Sequence, residues 1–459
     1  MTLPIIIIAL FFLIILLIGV FERKKLTIDD YWVNGRKTNK FLLIATISST
    51  FLGVGALISN AGIAFSGGGL ATILLLGSFL FYFLIFAKFF APKIKEFGDK
   101  FNAYTVPDFL EFRYSKKVRV ASLIVNLLIF GLFLALQILG IGVFISSVGG
   151  INPLLATIIG GAIIIAYTTV GGLRADIRTD AFQFIIMLSL IFIFLPILII
   201  NGGGTQAISN LPASFLVGQE FAPWYVFILG FLFIGANTLT SGDLWQRAYA
   251  GKSTREVKWS MQISGIIVFL FLIAGTLFGV YGKILLPESS PNLIVPELLK
   301  MLLPPALFGI VLVGFFAAIM SSADTMLLIV SMTLIHDLYI KTLNKELAPE
   351  AILKMSRWTT LVIGILAVVI AATVFSVVHI AIEAVSFSVA LLPAVIFGFY
   401  GKKSTNAAAF WSIVIGTLTI LIFLFIDPVQ AFIPGIIMSF ISFFIINALT
   451  KPKTTPILP

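Results

Sequence analysis

The stretch FFAAIMSSADTMLL, residues 315–328, sets Ser321, Ser322 and Asp324 side by side within an apolar run. At 100° per residue, Ala318, Ser321 and Ser322 fall within about one quadrant of a helix. A helical carbonyl keeps a second lone pair, and each hydroxyl offers two more. Three oxygens on one face, without a full negative charge, make half a cage for a small monovalent cation. A hard divalent ion takes more carboxylates. The other half has to come from a neighbouring segment with freed carbonyls. The plainer alternative is a serine pair that packs against a neighbour or bonds back to its own helix. Asp324 lies nearly on the face of Ser321. An acid in an apolar span either raises the local negative potential for a cation or accepts hydrogen bonds from the next helix.

The other candidate groups are few. Asp180 follows Thr179 where a later span begins, so it is a helix N-cap or a step on an ion exit path. Asp243 and Arg247 are one turn apart and are expected to pair. Glu383 and His379 share a face at i and i+4, and His336 reads as structural. No His/Cys/carboxylate set has metal spacing, and neither a nucleophile triad nor a phosphate loop is present. The expectation is no enzyme and no cofactor. Cysteine is absent, so the redox compartment is not readable.

The elements that must hold these residues are apolar. The chain of 459 residues is 59% hydrophobic and 11% charged, with 45 Phe and a mean hydropathy of +1.12. That composition excludes an ordinary soluble surface and predicts an all-α polytopic membrane protein in a lipid bilayer. Thirteen spans are expected, near 3–21, 41–66, 70–91, 118–147, 152–171, 180–201, 223–246, 259–282, 305–340, 357–377, 380–400, 406–426 and 430–449. The first apolar run lacks a basic leader and a small-residue cleavage site, and Glu22-Arg23-Lys24-Lys25 stops it. It reads as a retained span rather than a signal peptide. All Lys and Arg except Lys283 and Lys300 fall in alternate loops. The positive-inside rule then places the N-terminus outside and the C-terminus in the cytoplasm. The +10 net charge is thus a topology signal, and nucleic acid is not an expected partner.

Two spans are interrupted. The second reads IATISSTFLGVGALISNAG (44–62) and the seventh FILGFLFIGANTLTSGD (227–243). With the first span set aside, they open two successive groups of five. This is the pattern of two inverted repeats, each led by a discontinuous helix whose backbone ends face ions or substrate. The expected layout is a single membrane domain, 1–459, with an extra helix at 3–21. The repeats cover 41–201 and 223–400, and two helices follow at 406–449. Close packing through Gly, Ser and Thr is the simpler reading of either interruption alone.

Five stretches carry a resemblance to a known family: DDYWVNGRK (29–37), AYTTVGGLRADIRTDAFQ (166–183), DLWQRAYAGKS (243–253), AAIMSSADTMLLIVSMTLIHDLY (317–339) and GFYGKKSTNAAAFWSIVIG (398–416). Together they resemble the sodium/solute symporters, which include sodium-coupled glucose, proline and sialic acid transporters. The resemblance implies a LeuT-like five-plus-five core. It also implies a sodium site formed by the carbonyls of Ser49, Leu52 and Ala318 and the hydroxyls of Ser321 and Ser322. Asp180 and Asp324 would serve ion passage or gating, and the sodium ion would tie the ninth span to the broken second one.

Where sugar-transporting relatives carry polar ligands, this chain aligns Phe51, Ala56, Leu75 and Ser241. A sugar pocket needs dense hydrogen bonding, since an unpaired buried polar group costs about 1–3 kcal/mol, so sugar is disfavoured. Proline transporters align an acid at Phe51, which disfavours proline. Phe51, Ala56, Gln137, Asn237, Ser241 and Glu383 would line a small, partly apolar pocket. The solute class stays open among amino acids, monocarboxylates, urea-like compounds and amines. Three other functions are possible in principle. A proton-coupled transporter of the same fold would use Glu383 or Asp324. A transporter-like solute sensor would carry a signalling domain after the last span, where KPKTTPILP stands. A channel would show a repeated filter or a ring of charges. Oligomeric state is not readable.

Overall fold

A computed structural model describes residues 2–22, 27–373 and 376–451. The basic stop at Arg23–Lys25 and the tail residue Lys453 lie outside them. Among the described residues every extended element is helical, and the one bridge pairs Thr38 with Gly251. In chain order the apolar helices are α1 (Thr2–Glu22), α2a (Lys40–Phe51) with α2b (Gly55–Gly68), α3 (Ala71–Phe101), α4 (Lys116–Gly149) and α5 (Pro153–Ala166). Then follow α6 (Gly172–Asn201), α7a (Trp224–Thr240) with α7b (Gly242–Ala250), α8 (Thr254–Leu285) and α9 (Pro305–Thr342). The last are α10 (Pro349–Thr373), α11 (Val377–Tyr400), α12 (Asn406–Leu424) and α13 (Phe432–Leu449).

Nine of these are long and apolar enough to cross a membrane, or eleven when each bent pair is one span. The thirteen expected spans add α1 and α5, whose apolar stretches at 6–18 and 153–166 are shorter. The two bent pairs fall on the two interrupted sequences, with bends of 56° in α2 and 47° in α7.

One boundary differs from expectation. The loop expected between 171 and 180 is helical from Gly172 onward. The change of direction is confined to Gly172, whose φ of +61° suits glycine. The Tyr31 ring lies where a Cβ would stand. Asp180 therefore sits inside α6, eight residues past its start, and is not an N-cap.

Packing separates an interior from a periphery. In the apolar window of α9, 78% is buried, against 28% for α10. So α9 is central, lying on α4 and on the α5–α6 segment, with α1 also against it. α2a is held between α8 and the α5–α6 segment, α11 lies on α4, and α12 and α13 form a hairpin. Polar caps fix several helix starts: Asn39 receives the amides of Phe41 and Leu42, and Ser253 that of Glu256.

Candidate ion and solute site

The break in α2 frees backbone groups in the interior, and several of them find partners. Leu52 N–H donates to Ser49 O (3.1 Å), and Gly53 O accepts from Ala56 and Leu57 (3.2 and 3.3 Å). Val54 N–H donates to Gln137 Oε1 on α4 (2.9 Å). Gly53 is squeezed here: an added Cβ would strike Ser322 Oγ and Gln137 Oε1. In α7 the backbone turns extended at Ser241 (φ −69°, ψ 114°), and Trp245 Nε1 donates to Leu239 O (2.9 Å) across the break.

The serine pair of α9 meets the end of α2a. Ser321 Oγ donates toward Ser49 O (2.9 Å) and Ala318 O (3.1 Å). Ser322 Oγ donates toward Thr50 O (2.7 Å) and the same Ala318 O (3.1 Å). Ser49, Leu52, Ala318, Ser321 and Ser322 are all buried. The hydroxyls thus bridge two helices and also bond back to their own, as the plainer reading of the pair describes, and the same contacts set them against the carbonyls of α2a. The Thr50 carbonyl belongs to this cluster and was not anticipated. Its signal was the single-residue offset between Ser321 and Ser322, which reaches two successive carbonyls.

Beside the clamp is a cavity of about 150 Å³. Phe51, Ala56, Gln137, Asn237 and Ser241 line it, and so do Thr50 and Ser322. Glu383 does not. α11 turns Ala381, Ile382, Val385 and Ser386 to the cavity, and Glu383 falls about 130° round the helix from the centre of that face. The wall also includes Asp243, a residue given no such role beforehand.

A second polar cluster adjoins the clamp. Arg247 Nη2 pairs with Asp176 Oδ2 (3.2 Å) and Asp180 Oδ2 (3.4 Å). It also donates to Thr50 Oγ1 and Thr325 Oγ1, both at 2.7 Å, and Nε donates to Thr46 Oγ1 (3.2 Å). Thr46 Oγ1 donates in turn to Asp180 (2.5 Å). Asp324 accepts from the Thr325 amide (2.9 Å), and its carboxylate clusters with those of Asp176 and Asp180. The expected Asp243–Arg247 pair does not form. Arg247 reaches α6 instead, and Asp243 accepts from the Ser241 hydroxyl. Asp176, one turn before Asp180, was readable as its i, i+4 companion.

Away from these, His336 Nε2 meets Asp108 Oδ2 at 2.9 Å, and Arg119 lies 3.4 Å from Asp108 Oδ1. Burial pushes the Asp108 carboxyl up. His336, the Tyr104 amide and Arg119 together outweigh that and hold it at about 2. His336 is thereby a structural tie, as expected.

Two broken helices that both contribute to the wall of a small cavity are the pattern of a secondary transporter with discontinuous helices. The sodium:solute symporter family pattern matches residues 31–416, and the chain belongs to that family. As a member it is a sodium-coupled symporter of a small solute. The osmoregulated proline transporter OpuE of Bacillus subtilis is 25% identical to it, over 96% of this chain and 94% of OpuE. The sodium/proline symporter of Staphylococcus aureus is 27% identical, over 97% and 92%. Two solved structures share the fold. A Na+-coupled sialic acid symporter in a substrate-bound outward-open state superposes with a TM-score of 0.82 at 20% identity, covering 99% of both chains. The nucleobase-cation symporter Mhp1 superposes with a TM-score of 0.60 at 15% identity, over 93% of this chain and 97% of that one.

Proposed function

We propose that the sodium ion binds between the end of α2a and the face of α9. Its ligands are the carbonyls of Ser49, Leu52 and Ala318 and the hydroxyls of Ser321 and Ser322. The observation that carries this reading is the convergence of both hydroxyls on α2a carbonyls at 2.7–2.9 Å. A cation held there turns the hydroxyl protons away and takes the oxygens, so it ties α9 to the broken helix. Thr50 and Ser322 touch both the clamp and the cavity, which supplies the coupling between ion and solute.

The solute occupies the cavity, with Phe51, Ala56, Gln137, Asn237 and Ser241 as its wall. Ligand pockets for drug-sized molecules run to about 300 Å³ and more, so a cavity of about 150 Å³ suits a small metabolite. The relatives' solute, proline, is within that size. Asp180 and Asp324 flank the clamp on the α6–α9 side and form the ion's route. Transport is import by alternating access. The inverted repeats are 41–201 and 223–400, with the N-terminus outside and the C-terminus cytoplasmic. Glu383, outside the cavity wall, is left as the flank of α11.

The test is thermal stability of the purified protein in NaCl against isosmotic KCl, for wild type and the Ser321→Ala/Ser322→Ala double variant. A ligand that binds only the folded state stabilises it by RT ln(1 + [L]/Kd). The expected result is a sodium-specific rise in wild type that disappears in the double variant. A rise set by pH and indifferent to sodium would instead favour proton coupling through the Asp176–Asp180–Asp324 cluster.

A further inference from the structure

The cavity is built mainly from apolar side chains, and five phenylalanines line it: Phe51, Phe79, Phe130, Phe133 and Phe432. Among the described residues no Lys, Arg or His lines it. One lining residue, Asp243, is a carboxylate. It is 3% exposed, at the start of α7b, and its neighbour Ser241 donates to Oδ1. Asp243 makes no ion pair among the described residues. The one arginine within a helical turn, Arg247, is turned away and held by Asp176 and Asp180.

The other polar groups here are mostly occupied. Asn60 Nδ2 donates to Leu272 O and its Oδ1 accepts from Thr276, while Ser59 donates to Val377 O. Asn237 Oδ1, on the same broken helix as Asp243, is buried without a partner. Free acceptor capacity on the α7 side thus includes Asn237 Oδ1, and the Thr238 hydroxyl is likewise buried without a partner.

A buried carboxylate without a counter-charge costs several kcal/mol unless a cation reaches it. Aromatic faces around it favour the same kind of guest, by cation–π attraction. A carboxylate-only solute would meet an acid and no basic side chain.

We propose that Asp243 is the recognition site for a cationic nitrogen on the solute, so that the transported class is small ammonium compounds with an apolar body. This rests on the symporter reading above and names the solute chemistry at the same cavity. The ammonium donates to Asp243 and Asn237 Oδ1, and the apolar body lies against the phenylalanines.

The experiment follows thermal stabilisation of the whole protein by four probes, each in NaCl and in KCl. The probes are isobutylamine, pyrrolidine, L-proline and isobutyrate, and the proteins are wild type, Asp243→Asn and Asp243→Glu. The expected result is binding of one or more ammonium-bearing probes and none of isobutyrate. Asp243→Asn weakens that binding about ten- to a hundredfold, the worth of a charged hydrogen bond, and Asp243→Glu restores part of it. Asp243→Asn keeps its sodium response, which reports that it is folded. Binding of isobutyrate, ammonium binding indifferent to Asp243→Asn, or no ammonium binding in a protein that responds to sodium each overturn the proposal. Asp243-dependent ammonium binding without any sodium response would sink the coupling-ion assignment and leave this inference standing.

Discussion

At the scale of single residues, the interior around the clamp is governed by where the enclosed guanidinium of Arg247 points. Arg247 is 0% exposed and joins carboxylates of α6 to hydroxyls of α2a and α9. Removing one partner of such a pair leaves uncompensated buried charge and costs about 3–5 kcal/mol. Arg247→Met is therefore expected to lower the melting temperature sharply, and a compensating Asp176→Asn in the same chain to recover part of the loss. Equal stability of Arg247→Met and wild type would show that the acids do not need it. The serine pair, Asp180 and Asp324 were legible from the sequence, because polar groups in an apolar run stand out. The orientation of Arg247 was not. Helical spacing offered it Asp243 at i−4, and only the approach of α6, remote in sequence, provides the two acids that outcompete that neighbour.

At the scale of elements, the two discontinuities are what bring backbone groups to the cavity. They were readable as clusters of Gly, Ser, Thr and Asn within otherwise uniform apolar spans, and both are bent where expected. The helix joining the fifth and sixth expected spans was misread, because basic residues at 174 and 178 look like a loop. In fact one glycine makes the turn and α6 starts early. The break in α2 rests on Gln137, which accepts the Val54 amide from α4. Gln137→Leu leaves that amide buried and unpaired, at a cost of about 1–3 kcal/mol. Hydrogen exchange should then quicken at Val54 before it does at helix interiors, while unchanged exchange there would mean that another acceptor replaces the glutamine.

At the scale of the whole molecule, Thr50 and Ser322 touch both the serine clamp and the cavity, so the proposed ion and solute sites are expected to be linked. Linkage is reciprocal for binding free energies. The factor by which saturating sodium tightens an ammonium probe should equal the factor by which the saturating probe tightens sodium, and Ser322→Ala should shrink both together. A coupling factor left unchanged by Ser322→Ala, measured by calorimetry, would place the ion elsewhere. Fold class and family were legible because composition and five separated motifs agree. The solute was not, because the cavity wall is assembled from six or more helices whose mutual rotation no local pattern encodes.

The knot around Arg247 also bears on how this sequence can drift. Its partners come from α2a, α6 and α9, and each hydroxyl or acid answers to at least one other member. A lone exchange at any of them strands a charge or a donor in the interior. Lineages of this chain should therefore alter positions 46, 50, 176, 180, 247 and 325 as a block or not at all, while the surrounding aliphatic positions accept exchanges that conserve volume.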